Sequence, residues 1–189
     1  RGVVHGDLKP RNVMVTTHPA GGPHAHLFDF GLAKQRSTRL DPRLGQRPVA
    51  VQPPLRAGTP GYMAPEQILG KSDEISGATD LYALGCVIYC LLSGAAPYTG
   101  TSARDLHALC FAPPPRPTAP SETPAGLVDF VMRLLERRPR ERALSTAAAR
   151  EEWQSFRPSL GDVPALWAEV LERRTVVPSA APAESLPVA

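Results

Sequence analysis

The stretch His5-Gly6-Asp7-Leu8-Lys9-Pro10-Arg11-Asn12 places a carboxylate, an ammonium and a carboxamide within five residues of one another. Phosphoryl transfer has a use for each. The Asp7 carboxylate accepts a hydroxyl proton, the Lys9 ammonium neutralises phosphate charge, and the Asn12 amide oxygen holds a divalent cation. A polar turn after a strand is the plainer account, with Asp7 and Asn12 making ordinary turn hydrogen bonds. A second group, Asp29-Phe30-Gly31, offers a hard oxygen ligand suited to Mg²⁺, followed by a glycine that lets the backbone turn sharply. Alone this tripeptide is weak. It stands 22 residues after Asp7, behind a strand–loop–strand pattern, and a hairpin there would return Asp29 to the side of Asn12.

The elements that would hold these groups are legible in outline. Val3-Val4, Val13-Met14-Val15 and Leu27-Phe28 read as short strands, with the turn residues His18 to Pro23 as the loop between the last two. From Gln35 to Arg56 no periodicity appears, and the segment reads as a long loop. Leu81 to Leu92 is apolar on every side and predicts a helix buried within the domain. Leu127, Phe130, Val131, Leu134 and Leu135 keep the spacing of an amphipathic helix. Val163, Leu166, Trp167, Val170 and Leu171 form a second such stripe, with Asp162 as its cap. Beyond Val176 the composition is that of a Pro/Ala/Ser tail or linker.

Composition narrows the function classes. At 42% hydrophobic and 21% charged, 189 residues can bury a core, which excludes a wholly disordered or fibrous chain. The net charge of +3 comes with no long Lys/Arg block, so neither a nucleic-acid nor a membrane surface is expected. The longest apolar run covers 12 residues, against about 20 for a membrane span. Cys86, Cys90 and Cys110 are too few and too dispersed for a disulfide framework and fit a reduced, cytoplasmic setting. His18, His24 and His26 read as surface-loop residues, and the arginines from Arg133 to Arg142 as a solvated helix end interleaved with Glu136 and Glu141.

A third group, Gly58-Thr59-Pro60-Gly61-Tyr62-Met63-Ala64-Pro65-Glu66, completes a recognisable order. With the catalytic-loop pattern, Asp-Phe-Gly and Ala-Pro-Glu in sequence, the chain resembles the catalytic large lobe of the protein kinases from about Val3 to about Trp153. The wording Met63-Ala64-Pro65-Glu66-Gln67 is most similar to the bacterial, eukaryotic-type serine/threonine enzymes. The resemblance implies an α+β, mostly helical fold, a kinase C-terminal lobe with a short β-hairpin at the catalytic loop. It also implies ATP and Mg²⁺ as cofactors and a protein substrate. Asp7 then corresponds to the catalytic base, Lys9 to the serine/threonine-type loop lysine, and Asn12 and Asp29 to the two Mg²⁺ ligands. Thr59 corresponds to the threonine facing the substrate hydroxyl. Glu66 and Arg142 correspond to an ion pair that ties down the activation segment, and Asp80 to an acceptor for the catalytic-loop backbone, also expected to cap the buried helix. The implied division is residues 1–157 for the kinase lobe, 158–175 for an extra amphipathic helix and 176–189 for a tail.

Departures from the pattern shape further expectations. Gly6 stands where many members carry an arginine that grips a phosphorylated activation loop, so control through Ser37, Thr38 or Thr59 lacks its usual partner. Asp29 to Glu66 spans 38 residues, with a proline-rich insertion. No Gly-x-Gly-x-x-Gly loop occurs, and the only lysines are Lys9, Lys34 and Lys71, none placed to grip the α- and β-phosphates. The N-terminal lobe is therefore expected to be missing from this chain, as a partner it needs, and the chain to be inactive alone. Two alternatives are a non-catalytic docking module and a small-molecule phosphotransferase. The latter explains Gly6 but not Lys9-Pro10, Asp29-Phe30-Gly31 or Ala64-Pro65-Glu66.

Overall fold

The computed structural model describes residues 3–19, 21–30, 34–35, 60–98, 102–142 and 145–161. Two antiparallel ladders come first. Strand β1 (Val3–Val4) pairs with β4 (Lys34–Gln35), and β2 (Val13–Thr17) pairs with β3 (Pro23–Leu27), Val13 opposite Leu27 and Thr17 opposite Pro23. The sequence places the third strand at Leu27-Phe28; it begins four residues earlier and stops at Leu27. The reversal runs from His18 to Gly22, closed by the His18 N–H on the Gly22 carbonyl and the Gly21 N–H on the His18 carbonyl, with Gly21 and Gly22 both at positive φ. Pro23 can then open a strand of a two-stranded ladder, where a missing N–H costs little.

Five helices follow among the described residues: α1 (Pro65–Ile68), α2 (Gly77–Ser93), α3 (Ala103–Phe111), α4 (Leu127–Leu134) and α5 (Thr146–Phe156). Helix α2 is the axis of the core. Its Ser76 cap accepts from the Ala78 N–H while Thr79 Oγ1 accepts from the Ser76 N–H, and Gly94 ends it in a left-handed conformation. Tyr82, Cys86 and Tyr89 of α2 are buried against Leu127, Phe130, Val131 and Leu134 of α4, and Ala149 and Phe156 of α5 join the same cluster. The α4 stripe is thus buried as its spacing predicts.

The expectation that α2 is buried all round does not hold. Leu84 is 37% exposed and Leu91 79% exposed. Hydrophobicity all round a helix is permitted by burial but does not produce it, and here α4 and α5 cover one side. Where α2 meets α4 the helices nearly touch. A Cβ on Gly85 would stand 2.9 Å from Leu134 Cβ and 3.1 Å from Leu135 Cδ2, so only hydrogen fits there. No helix among the described residues is long and apolar enough to cross a membrane. The stripe at 163–171, its Asp162 cap, the tail, Ser37, Thr38 and Thr59 lie outside the described residues.

Candidate active site

The loop after β1 is fixed before it reaches Asp7. The backbone N–H groups of His5 and Gly6 donate to the two carboxylate oxygens of Asp80, each at 2.9 Å. Asp80 lies in the first turn of α2, where the partial positive charge of the helix end suits a carboxylate. It does not cap that helix, as the sequence suggests it would; Ser76 does. Gly6 sits at φ +77°, a conformation glycine takes without penalty and other residues resist. That accounts for a glycine at this position on backbone grounds alone.

Past Gly6 the polar groups interlock. Lys9 Nζ stands 2.6 Å from Asp7 Oδ2, and Asn12 Nδ2 donates to the Asp7 carbonyl at 2.8 Å and to Oδ2 at 3.2 Å. Asn12 is brought back by the short 3₁₀ turn Pro10–Asn12, whose closing bond runs from the Asn12 N–H to the Lys9 carbonyl at 2.9 Å. The amide end of Asn12 is thereby committed to Asp7, which leaves its carbonyl oxygen as the end suited to a hard cation. One step beyond the β2–β3 ladder, the Phe28 N–H donates to the Asn12 carbonyl at 2.8 Å. The register therefore delivers Asp29 to the Asn12 side of the loop. Asp29 is the one described non-glycine residue at positive φ, 62°, a conformation Asp tolerates better than most.

His5 joins the two segments. Its Nδ1 accepts the Asp7 N–H at 3.2 Å, so Nε2 carries the proton and donates to the Phe28 carbonyl at 2.9 Å. Its ring also lies 4.7 Å from that of Phe30. The side chain is buried, and one imidazole sets both the peptide entering Asp7 and the one two residues before Phe30.

Behind this cluster lies a second one. Glu66 and Arg142 form a two-pronged pair at 2.7 Å on each prong, with side chains 1% and 0% exposed. Thr79 Oγ1 adds a 2.9 Å bond to Glu66. The remaining Arg142 donors reach the carbonyls of Ala78, Arg137 and Glu136 at 2.9, 2.9 and 2.6 Å, and the guanidinium stacks 4.9 Å from the centre of the Tyr82 ring. All five guanidinium N–H groups are used. Burial pushes the Tyr82 phenol well above its ordinary range. Of the arginines read as one solvated end, Arg142 is thus the exception; Arg133 and Arg138 pair with Glu152 and Glu141 at the surface.

The structure brings Asp7, Lys9 and Asn12 together, ties the Asp29 segment to them, and sets Asp80, Glu66 and Arg142 as supports. Thr59 lies outside the described residues. Sequence reasoning singled out neither His5, Gln67 nor Thr79 individually. His5 was visible as the residue two before Asp7, and Gln67 as the third residue after a helix-start position. His24 and His26 lie on β3 rather than in a loop, their rings 4.6 Å apart. Among the described residues no group of three His, Cys, Asp or Glu is placed to hold a metal. A surface cavity of about 240 Å³ between α1 and α3, bordered by Leu69, Lys71, Phe111 and Arg137, includes none of Asp7, Lys9, Asn12 or Asp29.

Residues 1–154 match the model of the protein kinase domain family. The chain belongs to that family. This kinase domain is 38% identical over 157 residues to the serine/threonine-protein kinase Pkn1 of Myxococcus xanthus, covering 82% of this chain and 21% of that protein. It is 38% identical over 147 residues to the serine/threonine-protein kinase PknD of Mycobacterium tuberculosis, covering 76% and 20%. It spans about a fifth of the length of these curated relatives. The kinase domain also superimposes on the crystal structure of Rad53 kinase domain and SCD2 with a TM-score of 0.57 at 22% identity, covering 93% of this chain and 59% of the other, a likeness of fold.

Proposed function

We propose that this chain carries the catalytic-loop half of a bacterial-type serine/threonine protein kinase, which moves the γ-phosphoryl group of ATP to a protein hydroxyl. The observation that carries this reading is the Asp7–Lys9–Asn12 interlock, joined through His5 to the Asp29 segment. In the proposed reaction Asp7 orients the acceptor hydroxyl and takes its proton. Lys9, held at 2.6 Å from Asp7, places its ammonium charge beside the transferring group. The Asn12 and Asp29 oxygens would hold Mg²⁺, whose chemistry is to neutralise phosphate charge as it develops. The donor set fits a hard cation, one carboxylate and one carboxamide whose NH₂ end is already engaged.

We further propose that the nucleotide-covering lobe comes from polypeptide outside these 189 residues, because the sequence has no glycine-rich phosphate loop and no lysine beyond 9, 34 and 71. A cytoplasmic setting is part of the same reading. The test is phosphate transfer from labelled ATP to a generic Ser/Thr protein substrate with Mg²⁺, using the chain alone and the chain joined to a kinase small lobe. Transfer is expected from the joined form and is expected to fall at least about 100-fold in Asp7→Asn and Asp29→Asn. Transfer left undiminished by either substitution, or its absence from both forms, would overturn the reading.

A further inference from the structure

We propose that Gln67 is a positioning residue of this site, which fixes the peptide plane entering Asp7 by donating its side-chain amide to the Gly6 carbonyl. The proposal rests on the kinase reading above for its effect on rate, though not for its geometry. Gln67 belongs to α1, 61 residues along the chain from Gly6, and its Nε2 lies 2.6 Å from the Gly6 oxygen. Its Oε1 accepts the Ala64 N–H at 2.9 Å. Each end faces a group of fixed polarity, a carbonyl on one side and an N–H on the other. The amide orientation therefore follows from its partners.

The peptide between Gly6 and Asp7 is held at both ends. Its carbonyl takes the Gln67 bond, and its N–H gives the bond to His5 Nδ1. The preceding peptide N–H is held by Asp80. Gly6 at φ +77° contributes no side chain of its own, so direction at this point in the loop is imposed by neighbours. Asp80 reaches it from α2, and Gln67 from α1, directly after Ala64-Pro65-Glu66. The Ala64 bond alone would be half of a helix-start motif, since alanine has no side-chain acceptor to complete it. The Gly6 bond goes beyond that local role and links α1 to the loop carrying Asp7.

Gln67→Glu separates the two roles. The introduced carboxylate can still accept the Ala64 N–H, but it sets an oxygen against the Gly6 oxygen where a donor stood. Both proteins are to be assayed in the form that transfers phosphate, with amide hydrogen exchange followed by NMR. Gln67→Glu is expected to lower kcat about 10- to 100-fold. The KM for ATP stays within about twofold and the thermal midpoint within a few degrees, while exchange at the Asp7 amide is about tenfold faster. If that variant does not fold, Gln67→Met, which removes both bonds without adding charge, carries the same expectations. An unchanged kcat, an unchanged Asp7 exchange rate, or a rate loss that follows a general fall in stability with faster exchange throughout α2 overturns the proposal. A wild-type protein that transfers no phosphate while Asp7 exchange still accelerates in the variant defeats the kinase reading and leaves the Gln67 tie in place.

Discussion

Two carboxylates of this kinase domain meet a cation at nearly the same distance, Glu66 with Arg142 at 2.7 Å and Asp7 with Lys9 at 2.6 Å. The surroundings differ. The first pair is sealed in the core, every guanidinium donor has a partner, and a threonine and a tyrosine complete the enclosure. The second pair keeps 20% of the Asp7 side chain and 16% of the Lys9 side chain open to solvent, and both bonds to the Asp7 carboxylate fall on Oδ2. Ion-pair length therefore says little about role. A saturated, buried pair leaves no atom open to another partner, whereas a part-open one supported from its backbone keeps a carboxylate oxygen accessible.

Substitutions can break this contrast in either direction. Arg142→Ala leaves a buried carboxylate without its partner and is expected to cost about 3–5 kcal/mol, read from urea denaturation. Asp7→Asn is the mirror case. Stability should stay within about 1 kcal/mol, because the pair is part-exposed, while transfer by the form joined to a small lobe falls about 10²- to 10⁴-fold. A stability loss from Asp7→Asn as large as that from Arg142→Ala would erase the distinction.

Gly85→Ala tests the core without touching a charge. Its methyl must displace Leu134 and Leu135, at a cost of about 1–3 kcal/mol by the same denaturation measurement. Gly6→Arg forces a side chain into a left-handed backbone, and a loss of about 1–2 kcal/mol is expected, together with slower transfer. An unchanged melting curve would mean that the loop relaxes freely.

The smallest effect concerns alkali. Burial raises the phenols of Tyr62 and Tyr98 to about 12 in the folded chain, while unfolded tyrosines titrate near 10. Between those values the unfolded chain binds fewer protons, so stability falls as pH rises from about 10 to 12. Urea midpoints at pH 9 and pH 11 should show the decline, and Tyr98→Phe should reduce it.

What the sequence disclosed follows from how local each feature is. The α4 stripe was readable because Leu127, Phe130, Val131, Leu134 and Leu135 repeat within three turns, and all five are buried. Asp7, Lys9 and Asn12 were readable because one short loop holds them. Asp80 reads locally as a helix-start residue, whereas its partners lie 74 and 75 residues away. The same distance hides Gln67, whose amide looks like any polar helix residue until Gly6 is folded against it. The turn itself was placed to within one residue, but Pro23-His24-Ala25-His26 carries no apolar alternation, so the start of strand β3 was hidden until its pairing with β2 fixed it. For α2, composition showed that burial was permissible but carried no information on which neighbours would arrive.

The Glu66–Arg142 pair also bears on the order in which the chain can be made. Its members are 76 residues apart, so during synthesis Glu66 emerges long before the Arg142 guanidinium can reach it. Until residue 142 is available the segment around α1 holds a carboxylate that cannot be buried without penalty, and that segment must stay open to water. The loop around Asp7 depends on α1 through Gln67 and on α2 through Asp80. It should therefore set late, after the last third of the described domain has left the ribosome. Such long-range closure favours slow folding, and a nascent chain stopped before Arg142 is expected to leave the segment around Glu66 open to water.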